Sequence, residues 1–435
     1  LIPTFYYAIT FEKTLYSSLT PNTLEIILGI LMFIIAMEGV RRVIGYPLVI
    51  FGIVFFIYPL IAYYLPGIFF ASPVKWTRLI GDMYLGTQGV FSIAAHVFAT
   101  VISIFIIFGQ LISRGGAGKF FLDLSLSLVG KKSGGPAKAS VLSSAAFGMI
   151  SGVAVANVMT TGSVTIPIMK KLGYKSEFAG AVETVSSVGG ALMPPVMGVL
   201  AFIMADYLGI PYWTIAKAAI IPAVLYYLSV FLQVDFRSKR RNIKGISGKQ
   251  LPLSKILKSG WVFFIPLFQI IYMFAKLGWS PLRVGFYASI TMILIFNIKY
   301  IFENKSWSSE ILNQIFNAFV DSGIVLSRIM PAAIIAGIIM ASVNLTSLGL
   351  RFSASLIKLS GGNIIILLLL AALSCLIMGT AVDLIVIYII MAVLIAPSMI
   401  AMGIIPIAAH LFLLYYTIVG LITPPVCVAT YAASA

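Results

Sequence analysis

The sequence predicts an all-α polytopic membrane protein, organised as an inverted-repeat secondary transporter with two re-entrant helical hairpins and two discontinuous helices. First, 60% of the residues are hydrophobic, only 10% are charged and the mean hydropathy is +1.07. Many apolar stretches reach the roughly 20 residues that a membrane-spanning helix needs. Second, one interrupted apolar pattern occurs twice, and such paired Gly/Pro-interrupted segments are typical of transporter binding sites.

The two copies of this pattern keep a nearly constant separation. Each begins with Ser-Gly-Gly, breaks near the middle of an apolar stretch and ends in Pro-Pro-Val. The separation is 227 residues from Ser133 to Ser360 and 230 residues from Pro167 to Pro397. We therefore predict a first repeat (67–234, with hairpin 134–170 and broken helix 177–209), a basic linker (235–258) and a second repeat (259–435, with hairpin 362–398 and broken helix 404–435).

The charged and metal-binding residue types exclude several function classes. The net charge is +16, but the basic residues occur in short runs between apolar segments, which indicates membrane topology and no nucleic-acid partner. Cys375, Cys427, His96 and His410 show no metal-ligand spacing, and no nucleophile–base pair is apparent, so we predict no enzyme. The chain begins at Leu1 and stops inside an apolar segment, so we expect the native termini to lie outside it.

The distribution of basic residues predicts the orientation of the hairpins. Lysines flank the first hairpin on both sides, whereas almost none flank the second, and the linker carries eight basic residues. Because basic residues favour the cytoplasmic side, the first hairpin should open inward and the second outward. The repeats then have opposite orientation. The same reading predicts a surface-lying helix at 311–327 and a span at 329–345.

Hairpin tips and helix breaks are the candidate binding sites. Carbonyl groups exposed at half-helix C-termini suit sodium, and amides exposed at half-helix N-termini suit a carboxylate. The alternative is that these small residues only allow close helix packing. The predicted ligands are Ser151, Gly152, Asn157, Gly189 and Pro194 for a first sodium ion; Gly379, Thr380, Thr423, Pro424 and Val426 for a second; and Asn157, Thr160, Ser187, Gly190, Asp383 and Thr423 for substrate, with no metal beyond Na⁺.

Two acids fall within these segments. Glu183 lies six residues before Gly189, and Asp383 lies four residues after Gly379. Ionisable groups inside a membrane are costly and often functional. For each acid, a role in gating or cation attraction and a structural hydrogen-bonding role both remain open.

Several motifs of this sequence are shared with one family of membrane proteins. They are Gly134-Gly135-Pro136-Ala137-Lys138, Ile150-Ser151-Gly152, Val155-Ala156-Asn157-Val158-Met159-Thr160-Thr161-Gly162, Phe178-Ala179-Gly180-Ala181-Val182-Glu183, Met193-Pro194-Pro195-Val196-Met197-Gly198 and Thr423-Pro424-Pro425. With these motifs the chain closely resembles, above all over residues 115–211, the large membrane subunit of TRAP transporters, and more narrowly the fused permease type that works with TAXI substrate-binding proteins. Residues 1–66 resemble the tail of a fused small membrane subunit.

The resemblance implies sodium-driven uptake of an organic acid, handed over by an extracytoplasmic binding protein. It implies an elevator movement, as in the ion transporter superfamily, and a location in the prokaryotic inner membrane, with lipid as a further partner. No cofactor besides the coupling ion Na⁺ is expected. The alternatives are a carboxylate symporter that needs no binding protein and is coupled to Na⁺ or H⁺, and a non-transporting receptor or scaffold.

The chain departs from the family pattern at both tips. The first tip usually reads Ser-Gly-Ser, but Val153 occupies the third position and removes one hydroxyl oxygen. The second tip usually reads Gly-Met-Gly-Leu-Pro-Thr-Thr, whereas here Asp383 stands at the proline position. These changes put the number and the identity of the coupled ions at issue.

Overall fold

The chain is helical throughout the part described by the computed structural model, namely residues 2–17, 19–246, 252–304, 309–379, 384–424 and 427–434. No strand occurs among these residues. The α-helices are α1 (Ile2–Ser17), α2 (Thr23–Val43), α3 (Tyr46–Ile61), α4 (Trp76–Tyr84), α5 (Ile93–Val97), α6 (Ser103–Arg114), α7 (Ala117–Val129), α8 (Gly135–Ser151), α9 (Ala154–Asn157), α10 (Ser163–Lys171), α11 (Ser176–Gly189), α12 (Val199–Leu208), α13 (Tyr212–Arg240), α14 (Leu253–Gly260), α15 (Phe264–Ala275), α16 (Pro281–Asn304), α17 (Ser309–Thr346), α18 (Leu348–Leu359), α19 (Ile364–Gly379), α20 (Leu384–Leu394), α21 (Ala396–Ala401), α22 (Pro406–Gly420) and α23 (Val428–Ser434).

Eight helical segments in the described ranges are long and apolar enough to cross a membrane. Large apolar side chains on these segments remain exposed, among them Ile34 on α2, Ile221 and Leu225 on α13 and Leu294 on α16. An exposed apolar surface of this extent suits contact with lipid. The helical structure suits the same environment, because the hydrocarbon core offers backbone groups no hydrogen-bond partners outside their own helix. The prediction of an all-α polytopic membrane protein is confirmed.

Local sequence explains where the helices begin and end. Before α2, the Asn22 side chain accepts from the Glu25 N–H at 2.9 Å, and the Glu25 carboxylate accepts from the Asn22 N–H at 2.8 Å, which forms a capping box. The helix α8 begins after Gly134, at φ +66°, with Pro136 in its first turn. Proline is favoured there, because the first N–H groups of a helix have no internal partner.

The first compact unit combines Leu1–Ala99, Asp206–Leu208 and Leu326–Gly420. It contains the second hairpin, and α20 is buried along almost its whole length. A helix that is apolar on all sides belongs in a core. Within this unit the buried Tyr388 hydroxyl lies 3.0 Å from Nδ1 of the buried His410.

The second compact unit combines Thr100–Ala205, Gly209–Val325 and Leu421–Ala435. It contains the first hairpin, formed by α8, α9 and α10, and the first broken helix, formed by α11 and by α12 as far as Ala205. On α8, the buried Lys138 forms an ion pair of 2.5 Å with Asp235 on α13. Apolar residues of α8, α10, α11 and α13 form one continuous core around this pair.

Two elements differ from the sequence prediction. The expected surface helix and the following span form one helix, α17, with Pro331 in its interior. A proline can remain inside a membrane helix, because neighbouring groups satisfy the carbonyl that it leaves free. In addition, α13 continues to Arg240 through the first residues of the predicted linker. Asp235 favours this extension, because it pairs with Lys138 and with Lys239 one turn later.

Candidate ion and substrate site

The first hairpin reverses direction between α8 and α9. The helix α8 ends at Ser151, and Gly152 follows at φ +62° with its N–H donating to the Gly148 carbonyl at 2.9 Å. A Cβ atom at Gly152 would lie 2.4 Å from the Met197 carbonyl oxygen in the helix break. Both the positive φ and this close approach therefore require glycine at the position. The Ser151 hydroxyl oxygen is buried and has no hydrogen-bond partner in the described part of the chain. Such an orphaned oxygen is rare in folded proteins and needs an explanation.

The hairpin and the first broken helix meet through bare backbone. A Cβ atom on Gly148 would lie 2.5 Å from Cα of Gly190, and one on Gly190 would lie 2.5 Å from Cα of Gly148. The same Gly148 Cβ would lie 2.8 Å from Nδ2 of Asn157. The two glycines therefore bring the hairpin, the break and the Asn157 side chain to one place.

The Asn157 side chain links both elements. It is fully buried, and its amide group donates to the Ser144 carbonyl at 2.9 Å and, more weakly, toward the Ser187 carbonyl at 3.5 Å. Among the described residues, its Oδ1 atom accepts only from the Thr161 hydroxyl, at 3.5 Å. With the amide group occupied, Oδ1 is available as an oxygen ligand for a cation.

A cluster of hydroxyl groups surrounds Glu183 behind Asn157. Glu183 is fully buried, and hydroxyl groups from α8, from the return arm of the hairpin (residues 154–171) and from α11 donate to its carboxylate. The sequence analysis named Glu183, Thr161 and Ser187 but missed three members, namely Ser140, Ser144 and Thr165. Their signal was the four-residue spacing of polar residues within apolar segments, which puts each pair on one helix face. The Glu183 cluster comprises Glu183, Ser140, Ser144, Thr161, Thr165 and Ser187.

The remaining residues predicted for the first site have other neighbours than the Asn157 side chain. The Thr160 hydroxyl donates to the Ala156 carbonyl at 2.7 Å, and its methyl group fills the space beside Gly118 on α7. The Cα of Gly189 faces the rings of Tyr226 and Tyr227 on α13, where a Cβ would lie 2.3 Å from the Tyr226 ring. Pro194 is half-buried within the break between α11 and α12.

The second hairpin repeats the glycine contact. A Cβ atom on Gly379, the last residue of α19, would lie 2.7 Å from Cα of Gly420, the last residue of α22. Near this contact the Thr417 side chain is fully buried, and it interacts with the buried Cys375 thiol. Thr423 and Pro424 follow α22, half-buried and exposed respectively. The predicted ligands Thr380, Asp383 and Val426 lie outside the described residues.

The two glycine contacts give a structural alignment of the repeats. Gly148 corresponds to Gly379, a separation of 231, and Gly190 corresponds to Gly420, a separation of 230. The sequence pattern instead paired Gly379 with Gly152 at a separation of 227. On the structural alignment, Cys375, Leu413 and Thr417 correspond to Ser144, Glu183 and Ser187 of the first repeat.

A cavity of about 1040 Å³ lies beside the return arm. It is bordered by α10, by the first half of α11 and by α23, and its lining is mostly apolar. Lys170, Lys171 and Glu177 are the charged residues at its edge. The position of these lysines predicts that the cavity opens toward the cytoplasm.

One solved structure is similar over most of the chain. It is the crystal structure of the YdaH transporter of Alcanivorax borkumensis, described as having an unusual topology. The TM-score is 0.55 at 18% sequence identity, and the match covers 89% of this chain and 91% of that one. This likeness shows a shared membrane-transporter fold.

Sequence relatives are more specific. A putative TRAP transporter large permease protein of Haemophilus influenzae is 26% identical over 331 residues, which cover 75% of this chain and 74% of that protein. The C4-dicarboxylate TRAP transporter large permease protein DctM of Vibrio cholerae is 25% identical over 349 residues, 77% of this chain and 76% of that protein. Residues 31–435 match the profile of the DctM component of tripartite ATP-independent periplasmic transporters. The chain therefore belongs to this family, whose members are multi-pass transport proteins of the prokaryotic inner membrane and not enzymes.

Proposed function

We propose that the chain is the membrane subunit of a sodium-coupled secondary transporter that imports an organic acid. The acid is delivered by an extracytoplasmic binding protein of the TAXI type. Family membership supports the coarser part of this function, a secondary transporter of organic acids with a binding protein. A sialic acid TRAP permease of Vibrio cholerae, 22% identical over 331 residues, supports an organic-acid substrate as well.

The observation that carries sodium coupling is the unsatisfied hydroxyl oxygen at the first hairpin tip. In the described ranges the buried Ser151 hydroxyl has no hydrogen-bond partner, and it lies at the C-terminal end of α8. Oxygen atoms at a half-helix C-terminus coordinate sodium in transporters with discontinuous helices. The partial negative charge at the end of α8 favours a cation at the same point.

The space at this tip fits a small ion. A cavity of about 20 Å³ is bordered by Ser151, Gly152 and Met197. A cavity of roughly 10–15 Å³ is enough for one water-sized species. A second cavity, of about 60 Å³, also borders Ser151, and Gln110 and Ser113 contribute to its lining. An ion held at Ser151 therefore has both ligands and a place.

The helix break offers the complementary site for the substrate carboxylate. The chain passes from α11 through a turn at Gly190–Leu192 and an irregular stretch to α12, so the first N–H groups of α12 have no helical partner. A half-helix N-terminus favours an anion through these N–H groups and the helix dipole. Asn157, Ser187 and Gly190 lie together near this break and remain our candidates for substrate contacts.

The large cavity beside the return arm suits release of the product. Its two lysines attract an organic anion toward the cytoplasmic side by long-range electrostatics. In the elevator movement that we propose, the first hairpin and its broken helix travel as one body, because the hydrogen bonds from Ser140 and Thr165 to Glu183 and the glycine contact join them.

Uptake into proteoliposomes with purified binding protein tests the proposal. A panel of organic acids, beginning with a C4-dicarboxylate and sialic acid, identifies a substrate, and uptake should require an inward sodium gradient. Ser151→Ala and Asn157→Ala should raise the sodium concentration for half-maximal uptake about tenfold, without changing substrate affinity of the binding protein. Ser163→Ala is the matched control, because its hydroxyl is exposed and bonds only to the Thr160 carbonyl.

Three results would contradict the proposal. Full uptake driven by a proton gradient without sodium rules out sodium coupling. Uptake at the same rate without the binding protein shows a self-sufficient symporter. An unchanged sodium requirement in both Ser151→Ala and Asn157→Ala shows that the first tip does not hold the ion.

A further inference from the structure

The carboxylate of Glu183 is held by hydroxyl groups from three chain segments. Oε2 accepts from Ser140 on α8 at 2.7 Å and from Thr165 on α10 at 2.5 Å. Oε1 accepts from the Thr161 hydroxyl, and it lies 3.2 Å from the hydroxyls of Ser144 and Ser187. One side chain thus joins both arms of the first hairpin to the first broken helix.

No basic side chain pairs with this carboxylate. Among the described residues, no side-chain nitrogen of a lysine, arginine or histidine lies within 4.0 Å of a Glu183 carboxylate oxygen, which is the limit for an ion pair. The nearest buried lysine on α8, Lys138, is committed to Asp235 at 2.5 Å. A buried acid with only hydroxyl partners is costly to maintain, which indicates a functional reason for its presence.

The residues that hold Glu183 Oε1 are also those that hold Asn157. Ser144 and Ser187 contact Oε1 with their hydroxyls and present their carbonyls to the Asn157 amide at 2.9 and 3.5 Å. Thr161 donates to Oε1 and lies 2.9 Å from the Asn157 carbonyl oxygen. Every hydrogen-bonded neighbour of the Asn157 amide group in the described structure is therefore fixed by Glu183.

We propose that Glu183 is a positioning residue for the first cation site, and that its carboxylate supplies the negative charge that this site lacks in its first layer of ligands. The inference rests on the sodium coupling proposed above. By fixing Ser144, Ser187 and Thr161, Glu183 holds the Asn157 side chain with its amide turned to the backbone and its Oδ1 free for the ion. The buried carboxylate also attracts a cation through a medium of low dielectric constant.

The substitution Glu183→Gln tests this role. Glutamine keeps the size of the side chain but removes the charge, and its amide group cannot accept from all five hydroxyls. We expect the sodium concentration at the midpoint of thermal stabilisation to rise at least tenfold in purified, full-length protein. The series compares sodium chloride with choline chloride. Thr161→Val should shift the midpoint in the same direction, because it removes the link from Oε1 to Asn157.

Thr184→Val is the matched control on the same helix. Thr184 is buried like Thr161, but its hydroxyl donates to the Gly180 carbonyl at 2.8 Å and takes no part in the Glu183 cluster. The midpoint should stay unchanged in this variant. If Glu183→Gln does not fold, Thr161→Val alone tests the positioning role. Valine has the shape of threonine, so this substitution opens no cavity and leaves the Glu183 carboxylate in place.

The outcomes separate this inference from the proposed function. If the unaltered protein shows no sodium-dependent stabilisation, sodium coupling itself fails, and the role of Glu183 fails with it. If the unaltered protein is stabilised by sodium, but Glu183→Gln and Thr161→Val lose stability equally in both salts with unchanged midpoints, Glu183 only cross-links helices. That result overturns the positioning role and leaves sodium coupling standing.

Discussion

Replacing Gly148 by alanine should separate the first hairpin from the first broken helix. The new Cβ atom would lie 2.5 Å from Cα of Gly190, whereas ordinary contacts begin near 3.4 Å, so two backbones must move apart by about 1 Å. Neither side has a flexible side chain that can yield. Overpacking of this kind costs about 1–3 kcal/mol. The movement also displaces the Asn157 amide group, which lies 2.8 Å from the same Cβ position.

The matched control is Gly323→Ala in α17. Gly323 lies in a helix of the same compact unit, and a Cβ atom there meets nothing within 4 Å. Alanine is favoured over glycine inside a helix by roughly 0.5–1 kcal/mol. The control should therefore be neutral or slightly stabilised, and the two variants should differ by about 2–4 kcal/mol.

Thermal unfolding in detergent and uptake into proteoliposomes measure the two consequences. Gly148→Ala should melt several degrees below Gly323→Ala, and its uptake should fall at least tenfold, because the candidate ion site is built on the contact. Equal melting temperatures and equal uptake in the two variants would refute the reasoning. That result would mean that hairpin and broken helix are not in backbone contact.

Two further predictions concern topology and charge burial. Single cysteines at Lys132 and Lys171 should both react with a membrane-impermeant reagent only from the cytoplasm, and one at Met402 only from outside; labelling of the first two from opposite sides would contradict the re-entrant hairpin. Asp235→Ala should lower the free energy of unfolding, because it leaves the buried Lys138 without its ion-pair partner. Adding Lys138→Met should restore most of that loss in thermal unfolding, and a further loss in the double variant would argue against the pair.

Sequence patterns predicted the interruptions well, because Gly and Pro act locally. The break expected at Ser151-Gly152 is where α8 ends, and the break expected at Gly189-Gly190 is where α11 ends. A glycine with positive φ and the backbone groups that lose their helical hydrogen bonds beside it involve only a few adjacent residues, so a short stretch of sequence is enough to predict the break. The site residues around them stay predictions, since the ligands themselves are not part of the structure.

The Glu183 cluster could not be predicted in the same way. Its members come from three segments, and only folding shows that Ser140, Thr165 and Ser187 point at one carboxylate. The length of α17 was also missed, because the mixed polarity of residues 311–327 was interpreted as a separate surface-lying helix. Local signals of this kind predict a helix end only where no neighbouring element supports the backbone.

The unequal polarity of the two glycine contacts has a consequence for counting ions. Where the first repeat has Ser144, Glu183 and Ser187, the second has Cys375 and Leu413 together with Thr417. The backbone geometry is duplicated at these positions, but the formal charge is not. The number of ions moved in each cycle therefore cannot be obtained by doubling the content of one repeat, and the net charge moved per substrate has to be measured on the whole transporter.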